Sequence, residues 1–168
     1  MWYRVERKQP NSKMCLVCGM KNPFGLKAFF YELESGEVMA IFRPREEHQS
    51  YPGRLHGGIS AAILDETIGR AGMIRYGEEA WGVTLEFKIR FRKAVPLDVE
   101  LRVLGRITRE TNRSFEGTGE ILLPDGSVAV EGAGRYLKLP IEKIADFDVD
   151  EQEWRVVLSP DDPPGFDL

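Results

Sequence analysis

Only one stretch of this chain has the pattern of a long helix, and it sits among strands. From Gly57 to Arg75 the apolar residues Ala61, Leu64, Ile68 and Ala71 recur at helical spacing, and Gly77 supplies a stop. VTLEFKIRFRK follows, in which Val83, Leu85, Phe87, Ile89 and Phe91 alternate with Thr84, Glu86, Lys88, Arg90 and Arg92. Such alternation predicts a strand with one buried face. DVELRVLGRITRE, RSFEGTGEILL and SVAVEGAGRYLKL read as further strands, the last two joined by a hairpin at Pro124-Asp125-Gly126. Upstream, LKAFFYELESGEVMAIFRP reads as two strands joined at Glu34-Ser35-Gly36. One helix cannot cover both faces of so many strands. It must pack on one face, which predicts an α+β layer wrapped on a helix. The remaining sheet surface and its edges need cover, which favours a dimer.

The chain's 168 residues suit one domain with a sizeable core. Its net charge of −4 argues against non-specific binding of nucleic acid. No apolar run reaches the ~18 residues of a membrane span, and the charged start MWYRVERKQPNSK lacks a signal peptide's apolar core. A cytoplasmic location is the expectation. Residues 1–14 read as a polar lead-in and 141–168 as an acidic tail, with SPDDPPGFDL expected to be disordered. Cys15-x-x-Cys18 is half of a zinc site at most, since four thiolates would require a partner chain. Its simplest reading is two reduced cysteines in a turn.

The segment RLHGGISAAILDETIGRAG, 54–72, carries the conflicts that mark a functional site: two glycines at a helix start and two adjacent acids within an apolar run. Asp65 and Glu66 lie about 100° apart and cannot share a face. Glu66 has Arg70 four residues on, a favourable ion pair. Asp65 has only small neighbours, Ala61, Ala62 and Gly69, with Gly58 and Gly72 a turn further. Such a stripe lets another element or a ligand approach the backbone. His56-Gly57-Gly58 opens the helix, where free N–H groups and the positive end of the dipole can hold an oxyanion. Gly57 and Asp65 are eight residues apart, about 12 Å along one helix. An acyl-transfer site needs both within about 3 Å of one reacting group. Two antiparallel helices around a two-fold axis meet that demand.

LHGGISAAILDETIG, with EEHQSYPGR before it, GVTLEFKIRFRKAVPLDVEL after it and CLVCGMKNPFGL near the start, resembles the hotdog-fold acyl-CoA thioesterases of the phenylacetate-pathway type. The resemblance spans about residues 15–139, which assigns 15–140 to the hotdog domain. It implies a long central helix wrapped by an antiparallel sheet, in homodimers that often pair again into homotetramers. It implies hydrolysis of an acyl-CoA thioester without a metal or other cofactor. Asp65 takes the place of the catalytic carboxylate, as nucleophile or as general base, and the Gly57 N–H of the opposite subunit takes the oxyanion role. His56 would orient the loop or hold the thioester carbonyl. Thr84 falls where some relatives carry a hydroxyl that positions water. Gly58 and Glu66 are assigned to substrate binding. Ser50 stands where some relatives carry Asn and would make a weaker substrate contact. A non-catalytic acyl-CoA binding module is the alternative on the same fold. A hydratase is poorly supplied, with only His48 and His56 in the chain.

Overall fold

The computed structural model describes residues 1–168. Eight strands and one long helix follow in the order β1 (Trp2–Lys8), β2 (Phe29–Leu33), β3 (Val38–Phe42), α1 (Gly57–Tyr76), β4 (Trp81–Phe91), β5 (Leu101–Glu110), β6 (Ser114–Leu122), β7 (Val128–Leu139) and β8 (Gly165–Asp167). The strands form one sheet, ordered β4-β7-β6-β5-β3-β2-β1-β8, and every neighbouring pair is antiparallel. This is the α+β architecture expected for a hotdog fold, a long helix wrapped by an antiparallel sheet.

The helix lies on one face of the sheet and buries Ile63, Leu64, Thr67, Ile68 and Ala71. It sits close because glycines floor the sheet beneath it. A Cβ on Gly117 would come 2.6 Å from Ile68, and one on Gly105 would come 2.9 Å from the Thr67 carbonyl. Side chains there would push the helix off its bed and open voids in the core. The helix ends where expected: Gly77 has φ +57° and returns its N–H to the Met73 carbonyl. Gly36 and Gly126 close the two anticipated hairpins with φ of +82° and +80°.

Three expectations are corrected. The polar lead-in is β1, paired with both β2 and β8. Its polar residues alternate with Tyr3 and Val5, which pack on the cluster of Tyr31, Leu33, Met39, Leu104 and Phe166. A two-sided strand with so short an apolar face leaves little periodic signal. The acidic tail is ordered for the same reason: Phe166 of β8 is buried in that cluster, and Asp162 accepts from both Lys8 and Tyr31. These long-range partners outweigh its disorder-like composition.

The third correction bears on the site. The alternation read through β4 is interrupted by a bulge between Thr84 and Glu86. The extra residue shifts the parity, so Thr84 and Phe87 both face the helix and Leu85 is left 48% exposed. A regular strand would have put Thr84 on the opposite face.

Candidate active site

The helix begins on a loop pinned by His48. That ring is buried, accepts the Arg45 N–H at Nδ1 (2.9 Å) and donates from Nε2 to the Phe24 carbonyl (2.7 Å). The His48 carbonyl in turn accepts the His56 N–H. His56 is the N-cap of α1: its Nδ1 accepts the Gly58 N–H at 2.8 Å. That bond leaves Nε2 unengaged at an exposed position. It also occupies the Gly58 N–H. The Gly57 N–H, by contrast, donates to no group of this chain. A Cβ on Gly57 would come 3.1 Å from the exposed Phe91 ring, a contact that ring can relieve by a small shift. Ser50 is exposed in the loop before the helix, engaged through its backbone N–H to the Arg54 carbonyl.

Two turns along, the Asp65 carboxylate is held by two hydroxyls. Thr84 Oγ1 lies 2.9 Å from Oδ1 and 3.1 Å from Oδ2, and Tyr136 donates to Oδ1 at 3.0 Å. The bulge delivers Thr84. The β4–β7 register places Tyr136 directly across from it. Tyr136 is buried beside the carboxylate, and burial and then the Asp65 charge push its phenol above the usual tyrosine range. It therefore remains a hydrogen-bond donor throughout neutral pH. The small-residue stripe beside Asp65 is explained in part by packing. A Cβ on Gly69 would come 3.5 Å from the Tyr136 ring and one on Gly72 would come 3.1 Å from Phe115, the two rings being stacked at 4.9 Å.

Glu66 points elsewhere, as the helix geometry requires. Its Oε1 accepts from Arg70 at 3.0 Å, the expected pair, and its Oε2 accepts from Cys15 Sγ at 3.2 Å. Arg70 is buried and lies 4.0 Å over the Phe30 ring. Asp65, Glu66 and Thr84 open onto one cavity of about 540 Å³, walled on its apolar side by Met73, Trp81 and Trp154. His56, Gly57, Gly58 and Ser50 do not line it. The structure thus brings together three of the seven residues singled out in the sequence and leaves four at the helix entrance.

Sequence reasoning missed Tyr136 and the tryptophan wall. Tyr136 read only as one residue of a strand, and its role depends on a cross-strand register. Trp154 lies in the segment read only as an acidic tail, yet its ring packs tilted against that of Trp81, centroids 5.2 Å apart.

Known proteins share this fold. Residues 52–130 match the thioesterase superfamily. A 69-residue stretch is 32% identical to the human acyl-coenzyme A thioesterase THEM5, covering 41% of this chain and 27% of that protein. The match therefore spans about a quarter of the length of that curated relative. A solved thioesterase superfamily protein superposes with a TM-score of 0.68 at 27% identity, over 73% of this chain and 59% of that one. A hypothetical thioesterase from Streptococcus pneumoniae, solved with coenzyme A, superposes with a TM-score of 0.58 at 21% identity, over 62% of this chain and 82% of that one. Zebra fish thioesterase superfamily member 2 gives 0.62 at 18% identity, over 71% and 88%. The segment 52–130, which holds α1, Asp65 and its helix N-terminus, is thus similar to the thioesterase superfamily, and the chain has the fold of its solved members.

Proposed function

We propose that this protein hydrolyses an acyl-CoA thioester to the free acid and CoA. The observation that carries the reading is the Asp65 carboxylate, facing a half-apolar cavity and oriented by the Thr84 and Tyr136 hydroxyls. The superfamily match and the thioesterase relatives support the reaction class, and the coenzyme A bound in the streptococcal structure supports the carrier.

Asp65 serves as general base. It takes a proton from water as the water oxygen attacks the thioester carbonyl. The oxyanion accepts a hydrogen bond from the Gly57 N–H of a second copy, because about 12 Å of helix separates the two groups within one chain. The tetrahedral intermediate then collapses, the C–S bond breaks, and the proton held by Asp65 passes to the departing thiolate. CoA thiolate leaves readily, so no metal ion enters the step. Thr84, bonded to both carboxylate oxygens, holds the base in line with the water. His56 supports the oxyanion loop as its cap. Trp81, Trp154 and Met73 suit an aromatic or medium-chain acyl group, as in the phenylacetate-pathway type.

The test is thiol release from aromatic, short-, medium- and long-chain acyl-CoAs by wild type and Asp65→Ala. We expect turnover on an apolar acyl group and a loss of about a hundredfold or more in the variant. Turnover that survives in Asp65→Ala overturns the mechanism. A folded wild-type dimer that binds acyl-CoA without turning it over moves the assignment to a binding module. A hydratase is disfavoured further, because His48 and His56 are both engaged in the helix entrance and neither lines the cavity.

A further inference from the structure

We propose that Cys15, Cys18 and Glu66 form a site for one divalent zinc-like cation at the wall of the Asp65 cavity. The sequence offered two ligands. The fold adds a third from α1, and the three donor atoms lie within 4.8 Å of one another.

The turn itself holds both sulfurs in place. The N–H groups of Val17 and Cys18 both donate to Cys15 Sγ, at 3.4 and 3.5 Å. The Ser12 hydroxyl lies 3.3 Å from Cys18 Sγ. The chain can turn this tightly because residue 19 is glycine: a Cβ there would collide with the Cys15 carbonyl oxygen. The turn is anchored from outside as well. Leu26 and Ala28 donate to the Leu16 and Val17 carbonyls, and Asn11 donates to that of Cys18.

The dimensions fit. Tetrahedral zinc with its usual bond lengths sets a sulfur–sulfur separation of about 3.8 Å and a sulfur–oxygen separation of about 3.5 Å. Cys15 Sγ and Glu66 Oε2 stand 3.2 Å apart, so a shift of a few tenths of an ångström admits the ion. The charges fit too. Two thiolates and a carboxylate carry three negative charges and Arg70, on the other Glu66 oxygen, one positive. A dication leaves the cluster neutral, which a site this buried requires. Binding releases the two thiol protons to solvent and involves no redox change. Arg70 then acts as the outer partner that orients the carboxylate ligand.

Three protein ligands leave a fourth position. All three line the cavity that receives Asp65, so the open position faces the substrate side. The ion would clasp the N-terminal turn to the helix beside the carboxylate and fix that wall.

The test is independent of the hydrolase reading, because it needs no turnover. The reduced full-length chain, with two free thiols confirmed by a thiol reagent, is titrated with cobalt(II). We expect one cobalt per chain, a thiolate-to-cobalt charge-transfer band, the intense visible bands of tetrahedral cobalt, and displacement by zinc. Cys18→Ser should weaken the charge-transfer band. Glu66→Gln should keep both thiolates, shift the visible bands and weaken binding about tenfold or more. Zinc should raise the melting temperature of wild type and not that of Glu66→Gln. Absence of cobalt uptake by the reduced chain overturns the site, as does binding without a charge-transfer band. A Glu66→Gln spectrum identical to wild type overturns the ligand set. If Cys18→Ser fails to fold, the wild-type and Glu66→Gln titrations decide alone.

Discussion

At the scale of single residues, the two hydroxyls on Asp65 are not equivalent. Tyr136 is buried and Thr84 is exposed, so the phenol's bond to the carboxylate is the less screened of the two. Hydrogen bonds to charged groups contribute about 1.5–3 kcal/mol when sheltered from water. Tyr136→Phe should therefore lower kcat by about tenfold or more, and Thr84→Val by less, with KM for the acyl-CoA changing little in both. Equal losses would show that Thr84 does more than hold the carboxylate. Burial raises the Tyr136 phenol, and burial followed by its bond to Asp162 raises that of Tyr31. The folded state thus holds these protons more tightly than the unfolded chain, whose tyrosines titrate near pH ~10. Their contribution to stability is fully present below that pH and is lost as pH rises through the folded values. Urea midpoints should stay level up to about pH 10 and then fall, and Tyr136→Phe should flatten the fall. Superposable profiles would remove Tyr136 from the account. Asp65 itself was legible, because a carboxylate amid small residues has no local explanation. Tyr136 was not, because nothing near it in sequence mentions Asp65.

At the scale of elements, the helix could be read almost to its ends. Its apolar spacing, the glycine stop and the His-Gly-Gly start are all local signals, and α1 runs Gly57–Tyr76. The strands were legible as strands, but their registers were not. One inserted residue in β4 reverses which face Thr84 occupies, and the bulge has no mark in the alternation. β1 and β8 escaped because each pairs with a segment far away in the chain, Trp2 lying across from Asp167. Long-range pairing leaves no trace in a local window. The helix N-terminus permits a sharp test. Gly57 is the first helical residue, where proline is well accommodated. The preceding His56 has φ −63° and ψ 134°, the extended conformation that a following proline requires. Gly57→Pro thus deletes one free N–H with little harm to the helix, the exposed Phe91 ring being able to yield. We expect kcat to fall about a hundredfold with the melting temperature nearly unchanged. Full activity in Gly57→Pro would take the oxyanion role from that amide.

At the scale of the whole molecule, the proposed mechanism draws on two groups of a single helix, about 12 Å apart and too far to meet within one chain. β4 stands at the end of the sheet with its outer edge unpaired in this chain, and Leu85 and Phe91 are exposed along it. An exposed strand edge with apolar side chains is a natural place for a second copy to add. If two copies meet across a two-fold axis, each site draws Asp65 from one chain and Gly57 from the other. That arrangement can be separated from any single-chain site by complementation. Asp65→Ala and Gly57→Pro homodimers should each be nearly inactive. Unfolded together and reassembled, half of the dimers carry one chain of each kind. In those, one site combines both defects and the other combines an intact Asp65 with an intact Gly57. Activity should recover to about a quarter of wild type per chain. Sites complete within one chain would give no recovery, because every chain in the mixture carries a defect. The measurement therefore reads the assembly through its chemistry: recovery requires both a dimer and a site shared across its axis.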